Sequence, residues 1–114
     1  MLNRRKDFRP TMVAQVEVAL PAKGEHWEGV AINLSRGGMG LYTEKAPEMN
    51  TEVVLTLLFH DESGPRAERV AGRVRWIKPI GNLFAIGVQF ASLSPAEHPL
   101  TLAYLDSAVR FERP

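Results

Sequence analysis

The chain has 114 residues, of which 45% are hydrophobic and 24% charged, a balance typical of one soluble globular domain. It contains no cysteine, which excludes disulfides, thiolate metal sites and a cysteine nucleophile. The formal net charge of +1 is lower than a general nucleic-acid binder usually carries. Because no apolar run is long enough for membrane insertion and no secretory signal is visible, we expect a cytoplasmic protein.

Positive charge is concentrated in residues 1–10, which hold one anion, Asp7, and four cations, Arg4, Arg5, Lys6 and Arg9. Four cations less one anion give this segment a local charge of +3. A guanidinium group is a planar fork that binds phosphate oxygens in pairs, stacks on flat rings and bonds the O6/N7 edge of guanine. We therefore predict a basic N-terminal ligand-binding arm over residues 1–10, and a merely solvated basic terminus is the alternative.

From residue 11 onward the sequence has the pattern of short β-strands. Extended stretches separated by turn signals cover residues 14–20, 27–33, 39–43, 52–60, 68–78 and 83–90. This spacing predicts a mainly β fold, an antiparallel sandwich or six-stranded barrel over residues 11–92, and a closed barrel would leave no strand edge exposed.

The fifth of these stretches alternates in a simple way. A period of two puts Val70, Val74 and Trp76 on one face of the strand. It puts the intervening side chains on the other face, namely Arg73, Arg75 and Ile77.

The C-terminal residues 93–114 read as a helix within the same single domain. Ser94 to Glu97 matches a capping box with proline at the first helical position, although Pro99 allows a later start after a tight turn. Apolar residues recur at helical spacing: Leu100, Tyr104, Ala108 and Phe111, beside Leu102, Leu105 and Val109. Such a face would pack on the barrel or on a second subunit, so monomer and homodimer both stay open.

Signals for catalysis or metal binding are weak. The three histidines lie far apart without ligand spacing, and no serine elbow occurs, so we expect a protein that is not an enzyme and holds no metal. The segment from Asn33 to Gly38 is more informative, because it combines short polar side chains with Gly37 and Gly38. Two glycines allow positive φ and close approach of a ligand to the main chain, although an ordinary hairpin turn has the same composition.

Two motifs occur in order: Arg5 to Arg9 reads RxxxR, and Asn33 to Gly38 reads NxSxxG. Together they resemble the PilZ domain family, bacterial receptors for cyclic di-GMP whose signature is RxxxR followed by [D/N]xSxxG. The strands around Trp76 and Phe90 resemble the closing strands of that family. The resemblance implies a six-stranded antiparallel β-barrel with a C-terminal helix, and cyclic di-GMP as ligand with no cofactor.

The resemblance also implies the ligand-binding residues: Arg4, Arg5, Arg9, Asn33, Ser35, Gly37, Gly38 and Trp76. The first and last arginines of RxxxR would clamp phosphate and guanine, and the arginine before them would stack on guanine. Asn33 and Ser35 would contact guanine from the barrel face. Trp76 would lie near the ligand, as an aromatic residue does in some relatives, or pack in the core in phase with Val70 and Val74.

The expected function is therefore a second-messenger receptor or adaptor. The arginine arm would close over the ligand and create a new surface for an unidentified effector protein. One alternative is a PilZ-fold adaptor that does not bind the dinucleotide. Another is a small nucleic-acid-binding β-barrel, which is disfavoured because Phe59, Phe84 and Phe90 are in phase with core positions.

Overall fold

The computed structural model describes the backbone of residues 10–112 and the side chains of residues 10–107. Its elements in chain order are β1 (Thr11–Met12), β2 (Gln15–Leu20), β3 (Glu25–Leu34), β4 (Gly38–Thr43), β5 (Glu52–Asp61), β6 (Gly64–Ile80), β7 (Leu83–Phe90) and α1 (Pro99–Glu112). The prediction of a mainly β antiparallel fold with a C-terminal helix is confirmed. The strand count is seven rather than six, because β1 has only two residues and shows no alternating pattern.

The strands pair antiparallel in the order β1-β5-β2-β3-β4-β7-β6, and β6 pairs back onto β5. Six strands therefore close into a ring, while β1 pairs with the end of β5, at Phe59 and His60. The 17-residue β6 closes the ring because its first part follows β5 and its last part follows β7. This closure leaves no free edge among the six ring strands in the described part of the chain.

The inward side chains of the ring form the hydrophobic core, which includes Val16, Val18, Leu20, Leu41, Leu55, Leu57, Phe59, Val70, Val74, Ile86 and Val88. Leu100 and Leu105 of α1 are also buried. The ring of Tyr104 lies 6.1 Å from that of Phe59, centroid to centroid. The helix thus packs on the ring through its apolar side. This helix has neither the length nor the apolar character of a membrane span.

Helix α1 begins at Pro99, after a tight turn that Ser94 closes. Its Oγ accepts a hydrogen bond from the Glu97 N–H at 3.1 Å, and its carbonyl oxygen accepts one from the His98 N–H at 2.7 Å. The later of the two predicted helix starts is therefore the one the structure has. The buried His98 ring accepts from the Ser94 N–H at Nδ1 and donates from Nε2 to the Arg69 carbonyl, which fixes the turn against β6.

A buried carboxylate on β6 holds the start of α1. Glu68 is 8% exposed, and its two oxygens accept the N–H groups of Leu100 and Thr101 at 2.7 and 2.9 Å. The Thr101 hydroxyl donates a third bond at 2.7 Å. The first N–H groups of a helix have no partner within the helix, and the helix dipole favours negative charge there. Glu68 therefore joins the helix to the ring.

We expect Glu68→Ala to lower the free energy of unfolding by about 2–4 kcal/mol, because it leaves two N–H groups and a hydroxyl buried without acceptors. Glu68→Gln, which keeps one accepting oxygen, should lose less. Urea denaturation followed by circular dichroism measures both. The matched control is Glu62→Ala at an exposed turn, expected to change stability by less than about 0.5 kcal/mol. Equal stability of the alanine variants at 62 and 68 would contradict this role.

Candidate functional site

Two β-bulges interrupt the alternation of side chains, one on β3 and one on β6. On β3, Ile32 is the extra residue between Ala31 and Asn33. On β6, Arg75 is the extra residue between Val74 and Trp76. A bulge keeps two successive side chains on the same side of a strand. Asn33 and Trp76, each one residue past a bulge, are consequently both exposed.

Asn33 and Trp76 stand at the two ends of one cross-strand row. Asn33 pairs with Gly40 of β4, Gly40 pairs with Gly87 of β7, and Gly87 pairs with Trp76. Three strand spacings separate the ends by about 14 Å. Because the two central residues are glycines, the outer face has a backbone floor there, bounded by an amide at one end and an indole at the other. We call this row the glycine floor.

The indole of Trp76 lies over Gly87. A Cβ atom built on Gly87 would collide with the indole Nε1 and Cε2 atoms, so this close approach requires glycine. Trp76 is 47% exposed, whereas Val70 and Val74 are fully buried. The prediction that Trp76 shares a face with these valines is wrong, because the bulge at Arg75 turns it outward. Core packing, one of its two predicted roles, is excluded.

The side chain of Asn33 bends over the other glycine. Its Oδ1 accepts a hydrogen bond from the Gly40 N–H at 3.0 Å. This donor fixes the orientation of the amide, so the NH₂ group and one lone pair of Oδ1 remain for a ligand. Asn33 can therefore both donate to and accept from the edge of a base.

Ser35, Gly37 and Gly38 form the tight connection between β3 and β4. The Ser35 N–H donates to the Gly38 carbonyl at 2.9 Å, and the Ser35 Oγ makes weak contacts of 3.3 and 3.4 Å within the same turn. Neither glycine has a positive φ, so that part of the expectation is wrong. Gly38 is needed because a Cβ there would strike the Val88 carbonyl oxygen. The Ser35 hydroxyl is exposed and weakly held, which leaves it able to turn toward a ligand.

The structure thus brings Asn33, Ser35, Gly37 and Gly38 together at one end of β3 and β4, and it places Trp76 across the glycine floor from Asn33. The predicted arm residues Arg4, Arg5 and Arg9 lie outside the described residues. Sequence reasoning missed Gly40 and Gly87. A single glycine inside a strand pattern is a signal of a bulge or of close backbone approach. This signal could have pointed to Gly40 and to Gly87.

A cleft beside the turn was also missed. It encloses about 470 Å³ and is lined in part by Gly72, Arg73, Arg75, Gln89 and Phe90. The Phe90 N–H donates to the Gly37 carbonyl at 2.8 Å, and Gln89 pairs with Gly38, so the cleft adjoins the β3–β4 turn. The glycine floor, the turn and the cleft form one continuous outer surface. Among residues 10–107 this surface offers amide, hydroxyl, indole and guanidinium groups, and no cluster suited to a metal ion is found there.

Comparison with known proteins identifies the family. A model of the PilZ domain matches residues 3–107, and the chain therefore belongs to the PilZ domain family. No curated protein matched the sequence.

Two bacterial proteins are among the solved structures that share the fold. The inhibitor of motility MotI/DgrA from Bacillus subtilis superposes with a TM-score of 0.70 at 15% identity, covering 94% of this chain and 52% of its own. PlzA from Borreliella burgdorferi, solved in complex with c-di-GMP, superposes with a TM-score of 0.54 at 10% identity, covering 99% of this chain and 50% of its own. At these identities the likeness shows the fold alone. The chain spans about half the length of each.

The packing of the Trp76 indole on Gly87 can be tested by fluorescence in a Trp27→Phe background, where Trp76 is the one remaining tryptophan. We expect Gly87→Ala to displace the indole into water and shift its emission to longer wavelength, because the added methyl occupies the indole's position. Gly37→Ala is the control, since nothing lies within 4 Å of the added Cβ. Identical emission from the two alanine variants would contradict the packing of the indole on Gly87.

Proposed function

We propose that this protein is a cyclic di-GMP receptor that acts by binding rather than catalysis. The observation that carries the proposal is the glycine floor, where Asn33 and Trp76 are turned outward and lie over Gly40 and Gly87. Membership of the PilZ domain family and the cyclic di-GMP bound in the PlzA structure support it. The ligand has two guanine rings and two phosphates, so it needs flat surfaces, base-edge partners and cations together.

Each part of the outer surface has a role in this proposal. The exposed Trp76 indole, which lies on the backbone of Gly87, stacks against the face of a guanine. Asn33 and Ser35 bond the edge of the base. Arg5 and Arg9 bind phosphate and guanine from the arm, and Arg4 stacks on a guanine. Closure of the arm over the ligand then creates a surface that an effector protein recognises.

A calorimetric titration with cyclic di-GMP tests the proposal directly. We expect saturable binding to the unmodified protein, and loss of binding in Arg5→Ala and Arg9→Ala because each removes a fork for an anionic ligand. GTP and GMP serve as ligand controls. Arg69→Ala, which removes an exposed arginine midway along β6, opposite Thr56 of β5, should leave the affinity unchanged. Full affinity in both arm variants would overturn the proposed role of the arm.

The role of Trp76 has a separate test. We expect Trp76→Ala to weaken cyclic di-GMP binding about 5- to 150-fold, because stacking of one base on an aromatic ring contributes about 1–3 kcal/mol. Trp76→Phe should retain most of the affinity, since it keeps a ring at the edge of the floor. The same titration measures both variants, and thermal denaturation checks their folding. An alanine variant that binds as tightly as the phenylalanine variant would exclude stacking.

One observation favours a second candidate, an adaptor that binds protein and not the dinucleotide. Exposed apolar side chains adjoin one another on the outer face of β3, β4 and β7: Val30 pairs with Tyr42, and Leu83 lines the same groove. Contiguous exposed apolar surface is a mark of protein interaction sites. Under the first proposal this surface serves the effector. An unmodified protein that gives no heat with cyclic di-GMP would favour the second.

A further inference from the structure

Arg75 is the extra residue of the β6 bulge, and its guanidinium is fixed by two neutral side chains. Its Nε donates to the Gln89 Oε1 at 2.6 Å, and its Nη1 donates to the Asn50 Oδ1 at 3.0 Å. Asn50 is itself held in a left-handed conformation with φ of 67°, and its N–H donates to the Val74 carbonyl. Three elements of the fold thus set the direction of one arginine.

The neighbouring arginine on the same strand is held differently. Arg73 forms an ion pair with Glu52 at 2.7 Å, so its charge is balanced. Arg75 has no carboxylate within ion-pair distance among the described side chains, and amide oxygens orient a guanidinium without neutralising it. Three of its five N–H donors remain after the bonds to Gln89 and Asn50. A preorganised cation with unused donors is suited to binding an anion.

The position of Arg75 connects the cleft with the glycine floor. Arg75 and Gln89 both line the cleft of about 470 Å³, which is within the usual size of small-molecule pockets. Gln89 lies two residues along β7 from Gly87 on the same outward face, about 7 Å away. A nucleotide whose base stacks on the Trp76 indole above Gly87 therefore has its phosphate within reach of the Arg75 guanidinium.

The geometry points to a phosphate subsite in this cleft, in which Arg75 binds a phosphodiester of the ligand from the ring side. Gln89 and Asn50 are positioning residues for it. The inference rests on the proposed function for the identity of the ligand, cyclic di-GMP. It adds a cation that neither motif contains.

Calorimetry of the unmodified protein, Arg75→Ala and Arg75→Lys with cyclic di-GMP tests the subsite. We expect the alanine variant to bind 10- to 100-fold more weakly, and the lysine variant to fall between because it keeps charge without the fork. The affinity of the alanine variant should also depend less steeply on salt concentration, since one phosphate contact is gone. Arg69→Ala, an exposed arginine on the same strand, is the matched control, and thermal denaturation checks that every variant is folded.

A second readout follows Arg75 itself. In the unmodified protein, the Arg75 Nε–H resonance should shift during an NMR titration with GMP, and Asn50→Gly, which tolerates the same φ but lacks the acceptor, should weaken the response. If cyclic di-GMP binds the unmodified protein and Arg75→Ala equally, the subsite is overturned and the proposed function stands. If cyclic di-GMP does not bind but GMP shifts the resonance, the proposed function fails and the phosphate subsite stands. Absence of both effects overturns both.

Discussion

The outer surface of this ring depends on two inserted residues. If β3 and β6 alternated strictly through Ile32 and Arg75 instead of bulging there, Asn33 and Trp76 would point into the core, where an amide and an indole would need buried partners. Each bulge adds one residue and so shifts the remainder of its strand by one step. The following residues, Leu34 and Ile77, return to pack against the core, so the hydrophobic interior is preserved on both sides of the insertion. The fold therefore obtains a polar and aromatic surface without losing its core.

The two glycines between the bulges complete this arrangement. Any side chain at Gly87 would occupy the position of the indole, and one at Gly40 would crowd the Asn33 amide, whose Oδ1 is 3.0 Å from the added Cβ. Glycine weakens a strand because it packs nothing and loses more backbone entropy on folding. Here the side chains of Asn33 and Trp76 cover Gly40 and Gly87 in place of side chains of their own, since both glycines are buried although they face outward. Surface shape and strand stability are thus settled by the same four residues.

The sequence predicts the regular parts of the fold well and its irregular parts poorly. Alternating aliphatic residues such as Val16, Val18 and Leu20 define strands because burial of one face repeats every second residue. The same rule misplaces Trp76. A bulge cannot be recognised from the alternation of residue types along one strand, because pairing with another strand decides where the bulge occurs. The turn from Ser35 to Gly38 was found by its motif. The hydrogen bonds of Arg75 were not predicted, because Gln89 and Asn50 are far from it in the sequence and only the closed ring brings them into contact with it.

Arg73 and Arg75 show how neighbouring residues of one strand come to do different work. The ion pair of Arg73 with Glu52 is exposed, and such pairs contribute little to stability, but it does cancel a charge beside the cleft. Arg75 meets only amides among its described partners, so its orientation is fixed while its field is not cancelled. An arginine ordered in this way has already lost its side-chain entropy before an anion arrives. The stability that Asn50 and Gln89 provide to the ring surface therefore also lowers the entropic cost of binding at that surface.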